Sequence, residues 1–110
     1  HYHRSHDEAE QTAQEIERLG RKCALLRADL GDLQALPSLI RQAQSALPHC
    51  RGLINNASLF TPKPFMEAMP EDYEAMFRIN FAAPAFLTQA FAEAYPSGHV
   101  VHMLDTKVMK

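Results

Sequence analysis

The chain has 110 residues, 46% of them hydrophobic and 22% charged, with a formal net charge of −2. That size and balance fit one small globular domain with a single core, and the slight acidity argues against a nucleic-acid surface. No apolar run approaches the roughly 20 residues a membrane helix needs, and no signal-peptide pattern opens the chain.

His1-Tyr2-His3 reads as the end of a strand. From Asp7 to Leu19, the apolar residues Ala9, Ala13, Ile16 and Leu19 recur at helical spacing, and Gly20 reads as the stop. Lys22 to Ala28, with Cys23, Ala24, Leu25 and Leu26, is a second strand candidate. It runs into Asp29-Leu30-Gly31-Asp32, a loop ending on a plausible helix cap. Leu33 to Leu47 repeats the helical period through Leu36, Leu39, Ile40 and Ala43. Pro37 falls in its tolerant first turn and Pro48 ends it.

Gly52-Leu53-Ile54 is an apolar run that breaks into Asn55-Asn56-Ala57-Ser58, the pattern of a buried strand opening into a loop. In an open α/β sheet, ligands bind beyond the carboxyl ends of the strands, so both amides would sit where a polar ligand is held. A plain strand-to-turn exit is the competing reading, because Asn and Ser are common turn formers. A proline-marked loop, Thr61-Pro62-Lys63-Pro64, follows. The longest element runs from Pro70 to about Ala94, with a stripe of Tyr73, Phe77, Asn80, Pro84, Leu87 and Phe91. An amide inside such a stripe would be buried and need partners. Val100 to Leu104 is the last strand, followed by Asp105.

Strand and helix thus alternate, which predicts right-handed crossovers and a parallel sheet. Cys23 and Cys50 are isolated and form no CxxC pair. They are expected as reduced, partly buried thiols of a cytoplasmic protein. Without an initiator Met, and starting inside a strand, the chain reads as an excerpt of a longer one.

Taken in order, His1-Tyr2-His3-Arg4-Ser5, Ala28-Asp29-Leu30, Asn55-Asn56-Ala57-Ser58, Asn80 and Val100-Val101-His102-Met103-Leu104-Asp105 resemble the middle of a short-chain dehydrogenase/reductase. Within that family the chain is most similar to pteridine reductases, through its first five residues, Ser58 and Met103-Leu104-Asp105. The resemblance implies a Rossmann-like, doubly wound parallel sheet, with residues 1–110 forming one partial NAD(P)-binding domain. It also implies NADPH as cofactor, a small pterin-like substrate and a homo-oligomer, dimer or tetramer.

By that resemblance Tyr2, His3, Arg4, Ser5 and Met103 belong to the cofactor site. A ribose 2′-phosphate needs a cation and short donors, which Arg4 and Ser5 supply; the pair could instead merely start a surface helix. Asp29 would accept from the adenine amine while Leu30 packs on the ring. Asn56 and Ala57 would pass the cofactor ribose, with Ser58 and Phe60 facing the nicotinamide. Phe60 would stack a flat pterin there, or serve as an ordinary core or lid aromatic. Asn80 would hold a water and backbone near the catalytic lysine, or simply bond a helix carbonyl.

Asp105 stands where most relatives have Ser. An ionised carboxylate cannot polarise a carbonyl, but a carboxyl group with a raised pKa can deliver a proton. That favours an imine-type substrate over a simple ketone.

The four glycines, Gly20, Gly31, Gly52 and Gly98, are too dispersed to form a phosphate loop, and no tyrosine has a lysine four residues on. A family phosphate loop would lie before His1 and a Tyr-xxx-Lys pair beyond Lys110, so the excerpt alone should be inactive. In the order 3-2-1-4-5 it would carry strands two to five and lack the first, leaving a gap in the sheet. The competing functions are a short-chain reductase acting on another ketone or imine, a non-catalytic nucleotide-binding member of the fold, and a metal protein built on His1, His3 and His6. The last lacks CxxC and HExxH spacing.

Overall fold

A computed structural model describes residues 1–104, so Asp105, the expected proton donor, lies outside the described residues. Helix α1 (His6–Arg18) forms over the expected stretch. Gly20, at φ 73°, donates its N–H to Glu17 O at 2.8 Å, and Arg21 N–H reaches Ile16 O at 3.2 Å. This reversed closure needs left-handed backbone, which glycine adopts without a Cβ penalty. Helix α2 (Leu36–Ala46) starts three residues later than the apolar period implies. Asp32 Oδ1 accepts the Gln34 N–H at 3.2 Å, closing a turn first and leaving Ala35 as the N-cap.

Strand β1 (Gly52–Asn55) pairs in parallel with strand β2 (His99–His102), Gly52 opposite His99 and Asn55 opposite His102. The two expected amino-terminal strands shrink to one parallel bridge between Tyr2 and Arg27. Tyr2 N–H donates to Leu26 O at 3.0 Å, and Ala28 N–H donates to Tyr2 O at 3.1 Å. Both main-chain groups of Tyr2 therefore serve one side. On the other side, between this bridge and β1, an apolar cleft of about 550 Å³ is lined by Leu26, Leu30, Leu53, Ile54 and Leu87. It lies where the first strand of the 3-2-1-4-5 order would run.

The segment expected as one helix has three parts: α3 (Pro70–Phe77), a π turn (Arg78–Ala82) and α4 (Ala83–Ala94). Ala83 N–H donates to Arg78 O, five residues back. Pro84 accounts for the break: having no N–H, it cannot serve the carbonyl of Asn80, and a widened turn accommodates the missing bond. The extra residue also splits the predicted stripe. Leu87 and Phe91 are buried, whereas Tyr73 and Phe77 stay 69% and 44% exposed. Tyr73 stacks on Phe77 and Phe77 on Phe81, with ring centroids 6.1 and 5.1 Å apart, on the outer surface.

The core lies between α2 and α4, where Leu30, Leu36, Leu39, Ile40, Ala83, Leu87, Phe91 and Tyr95 cluster. Tyr95 Oη donates to Leu47 O at 3.2 Å and ties the ends of the two helices. By contrast, α1 buries nothing fully: Ala9, Ala13 and Ile16 are half-covered and Leu19 is exposed. The chain exposes 8731 Å², whereas a compact chain of this length exposes about 6,100 Å². Open surface of that size, along a sheet with an unfilled centre, leaves little to offset chain entropy. The 110 residues alone are therefore expected to melt without a cooperative transition when followed by circular dichroism. A sharp, reversible melt would contradict this.

Candidate functional site

At the exit of β1 the two amides part company. Asn55 is buried, its Nδ2 3.4 Å from Thr88 Oγ1 on α4 and 3.3 Å from His102 Nδ1 on β2. It is a tie between helix and strand, which corrects the expectation that both amides face a ligand. Asn55, Asn56 and Ala57 all border the central cleft, and of the three only Ala57 also lines the cleft at the carboxyl ends of the strands.

Asn80 is also placed differently from the expectation. It is exposed rather than buried, turned off the apolar stripe by the π turn. Its Oδ1 accepts the Leu59 N–H at 2.8 Å and its Nδ2 donates to Leu59 O at 2.7 Å. One amide thus satisfies both main-chain groups of Leu59 and pins the loop after β1 to the long helix.

That loop helps form a second cleft, of about 660 Å³, at the carboxyl ends of the strands. Here the structure brings together His3, Arg4 and Ser5 from the amino-terminal arm, Asp29 and Leu30 from the next loop, and Ala57 and Ser58. Asp29 Oδ1 accepts the Gly31 N–H at 2.8 Å, a side-chain turn that leaves Oδ2 facing His3 Nε2 at 3.9 Å. Arg27 Nε donates to His3 O at 3.2 Å and holds the arm in place. Leu30 is 7% exposed and belongs mostly to the core, so it offers the cleft a floor rather than a free face. Arg78 also lines this cleft, and nothing in the residue spacing signals it.

Tyr2 and Met103 line neither cleft. Tyr2 Oη is 3.0 Å from His6 Nδ1, with the two rings tilted together 5.4 Å apart. Met103 is 61% exposed, its N–H donating to Asn55 O at 3.0 Å. Ser58 and Phe60, expected on one side, line different cavities. Phe60 borders a third cleft, of about 580 Å³, with Pro62, Lys63, Asp72 and Met76. Leu59, held by Asn80, is the divide between them.

In that third cleft Lys63 Nζ donates to Asp72 Oδ2 at 2.6 Å, and the same oxygen accepts the Met69 N–H at 3.1 Å. The Lys63 hydrogen bond, helped by Met69, holds the Asp72 carboxyl below its ordinary value of 3.8. A depressed carboxyl pKa contributes stability above the unfolded value, and that contribution is lost as pH falls through the folded one. Lys63→Met is expected to move the Asp72 midpoint, read by carboxyl NMR, upward towards 3.8. An unmoved midpoint would discount the pair. Each Asn80 bond contributes about 1 kcal/mol. Asn80→Ala should therefore speed amide exchange at Leu59 by about tenfold or more, with Asn80→Asp keeping the acceptor half.

Residues 1–105 match the short chain dehydrogenase family. The chain is 28% identical over 88 residues to 2-dehydro-3-deoxy-D-gluconate 5-dehydrogenase of Escherichia coli, covering 80% of this chain and 35% of that protein. Among solved structures, a short-chain dehydrogenase/reductase from Serratia marcescens superposes with a TM-score of 0.92 at 29% identity, over 99% of this chain and 45% of that one. FolM alternative dihydrofolate reductase 1 from Brucella canis, complexed with NADP, gives 0.88 at 30% identity, over 98% and 44%. The chain spans about a third of that curated relative and less than half of either structure. The family match spans nearly all of the chain and the fold superposes on members of that family: the chain belongs to the short-chain dehydrogenase family.

Proposed function

We propose that the chain is the nucleotide-binding part of an NADPH-dependent reductase acting on a pterin-like C=N bond. The observation that carries this reading is the meeting of Arg4, Ser5 and Asp29 in one cleft beside Ala57 and Ser58. Arg4 offers a planar guanidinium and Ser5 a hydroxyl, a donor set that fits a 2′-phosphate. Asp29 has one oxygen committed to Gly31 and the other, 3.9 Å from His3 Nε2, with lone pairs left to accept from an adenine amine. Ala57 is small enough to let a sugar ring approach closely. NADPH, when bound, supplies a hydride.

The substrate reading rests on Phe60 and Asp105. Phe60 is 73% exposed across Leu59 from Ser58, so a flat heterocycle stacked on it would reach past Leu59 to the nicotinamide side. Asp105, which follows Leu104 in the sequence, is the group proposed to deliver the proton to ring nitrogen. The Brucella canis neighbour, an alternative dihydrofolate reductase, supports the same substrate class. The exposed Tyr73–Phe77–Phe81 stack supports a homo-oligomer built on the long helix, and the two free thiols suit a reducing, cytoplasmic setting.

The test is NADPH and NADH oxidation by the intact protein, with dihydropterin and with simple ketones. Charge-assisted bonds contribute about 1.5–3 kcal/mol, so Arg4→Ala should weaken NADPH by about ten- to a hundredfold and leave NADH nearly unchanged. Asp105→Ser should abolish pterin reduction while NADPH still binds. Turnover of ketones but not dihydropterin would replace the substrate class. Nucleotide binding without turnover of either would make this a non-catalytic member of the fold.

A further inference from the structure

The loop that carries Asp29 is held from both directions at Gly31. Its N–H is taken by Asp29 Oδ1 at 2.8 Å, and its carbonyl lies 3.4 Å from Arg78 Nη1. Arg78 is itself oriented: Nε and Nη2 lie 3.2 and 2.9 Å from Glu74 Oε1, one turn back on α3. A Cβ added at Gly31 would stand 3.1 Å from Asp29 Oδ1, crowding the carboxylate, and 3.8 Å from Ile79 Cδ1, an ordinary contact with the long helix. We propose that Arg78 is a positioning residue for the nucleotide site, clamping the Asp29-to-Gly31 turn so that the Asp29 carboxylate faces the adenine end of the cleft.

This inference rests on the nucleotide reading above and adds a residue to it. The alternative role for a second arginine in such a cleft is a direct phosphate contact. Its existing bonds decide against it. Nε and Nη2 are held by Glu74 and Nη1 by the Gly31 carbonyl, so all three nitrogens already have partners on the protein, and Arg4 remains the cation for the phosphate. A clamp on the adenine turn acts on the part that NADPH and NADH share, and so it carries no preference between them. Arg78 also opens the π turn whose far side holds Leu59, so one short helical segment braces both walls of the cleft.

The test measures NADPH and NADH affinity of the intact protein by nucleotide fluorescence, for Arg78→Met, Arg78→Lys and Gly31→Ala. Arg78→Met is expected to weaken both nucleotides by the same factor, about tenfold for one lost oriented hydrogen bond, leaving their ratio unchanged. Arg78→Lys should recover little of this, because a point charge cannot hold Glu74 and Gly31 in one plane. Gly31→Ala, which crowds Asp29 without touching Arg78, should produce the same uniform loss, with circular dichroism verifying the fold of each variant. Arg78→Met binding like wild type would overturn the clamp, as would a loss confined to NADPH. A wild-type protein that binds neither nucleotide would overturn the cofactor reading itself, an outcome distinct from either.

Discussion

Pro84 has no N–H to offer the carbonyl of Asn80, and the layout of the site follows from that absence. The helix widens into a π turn, and the turn swings the Asn80 side chain off the apolar face. There it meets both main-chain groups of Leu59 at 2.7 and 2.8 Å. Leu59 then divides two cavities. Ser58 stays with the arginine-bearing cleft, and Phe60 turns to the cleft closed by Lys63 and Asp72. A straight helix would have placed the amide among Leu87 and Phe91 and left the loop untethered.

The second constraint is the open centre of the sheet. β1 and β2 pair with each other, and Tyr2 pairs with residues 26–28, but an apolar cleft lies between the two halves. Leu26 faces it from one side and Leu53 and Ile54 from the other. The cleft proposed for the nucleotide draws its residues from both halves: Arg4 and Asp29 from one, Ala57 and Ser58 from the other. Whatever fixes the spacing of the halves also sets the geometry of the site, so fold stability and ligand affinity are coupled here. Helix α1, half-covered along its apolar stripe, shows the same shortage of packing surface.

Much of this was legible in the residues, for identifiable reasons. Gly20 marks the end of α1 because only a left-handed residue completes that closure. The parallel pairing follows from strand–helix alternation, whereas the grouping of Arg4, Ser5 and Asp29 is expected only through the resemblance to the family. Other features were not. A helical period reveals which residues share a face but not a slip in phase, so the turn at Asn80 stayed hidden although Pro84 is its cause. Asn55 and Asn56 are alike in the residue pattern, and nothing local says that Thr88 and His102 stand within reach of the first amide. Tyr2 and Met103 fall in the matching motifs but pair with His6 and Asn55 instead of facing the cleft. Arg78 carries no motif at all; only the fold brings it against Gly31.

The central claim is that one cleft, built from three separated loops, holds a nicotinamide nucleotide. Amide hydrogen exchange of the intact protein, with and without NADPH, tests it most directly. The account predicts slowed exchange at Arg4 and Ser5, at residues 29–31 and at residues 57–59 together, with Phe65–Glu67 unaffected. Slowing confined to the 60–69 loop, or none anywhere along the chain, would contradict it.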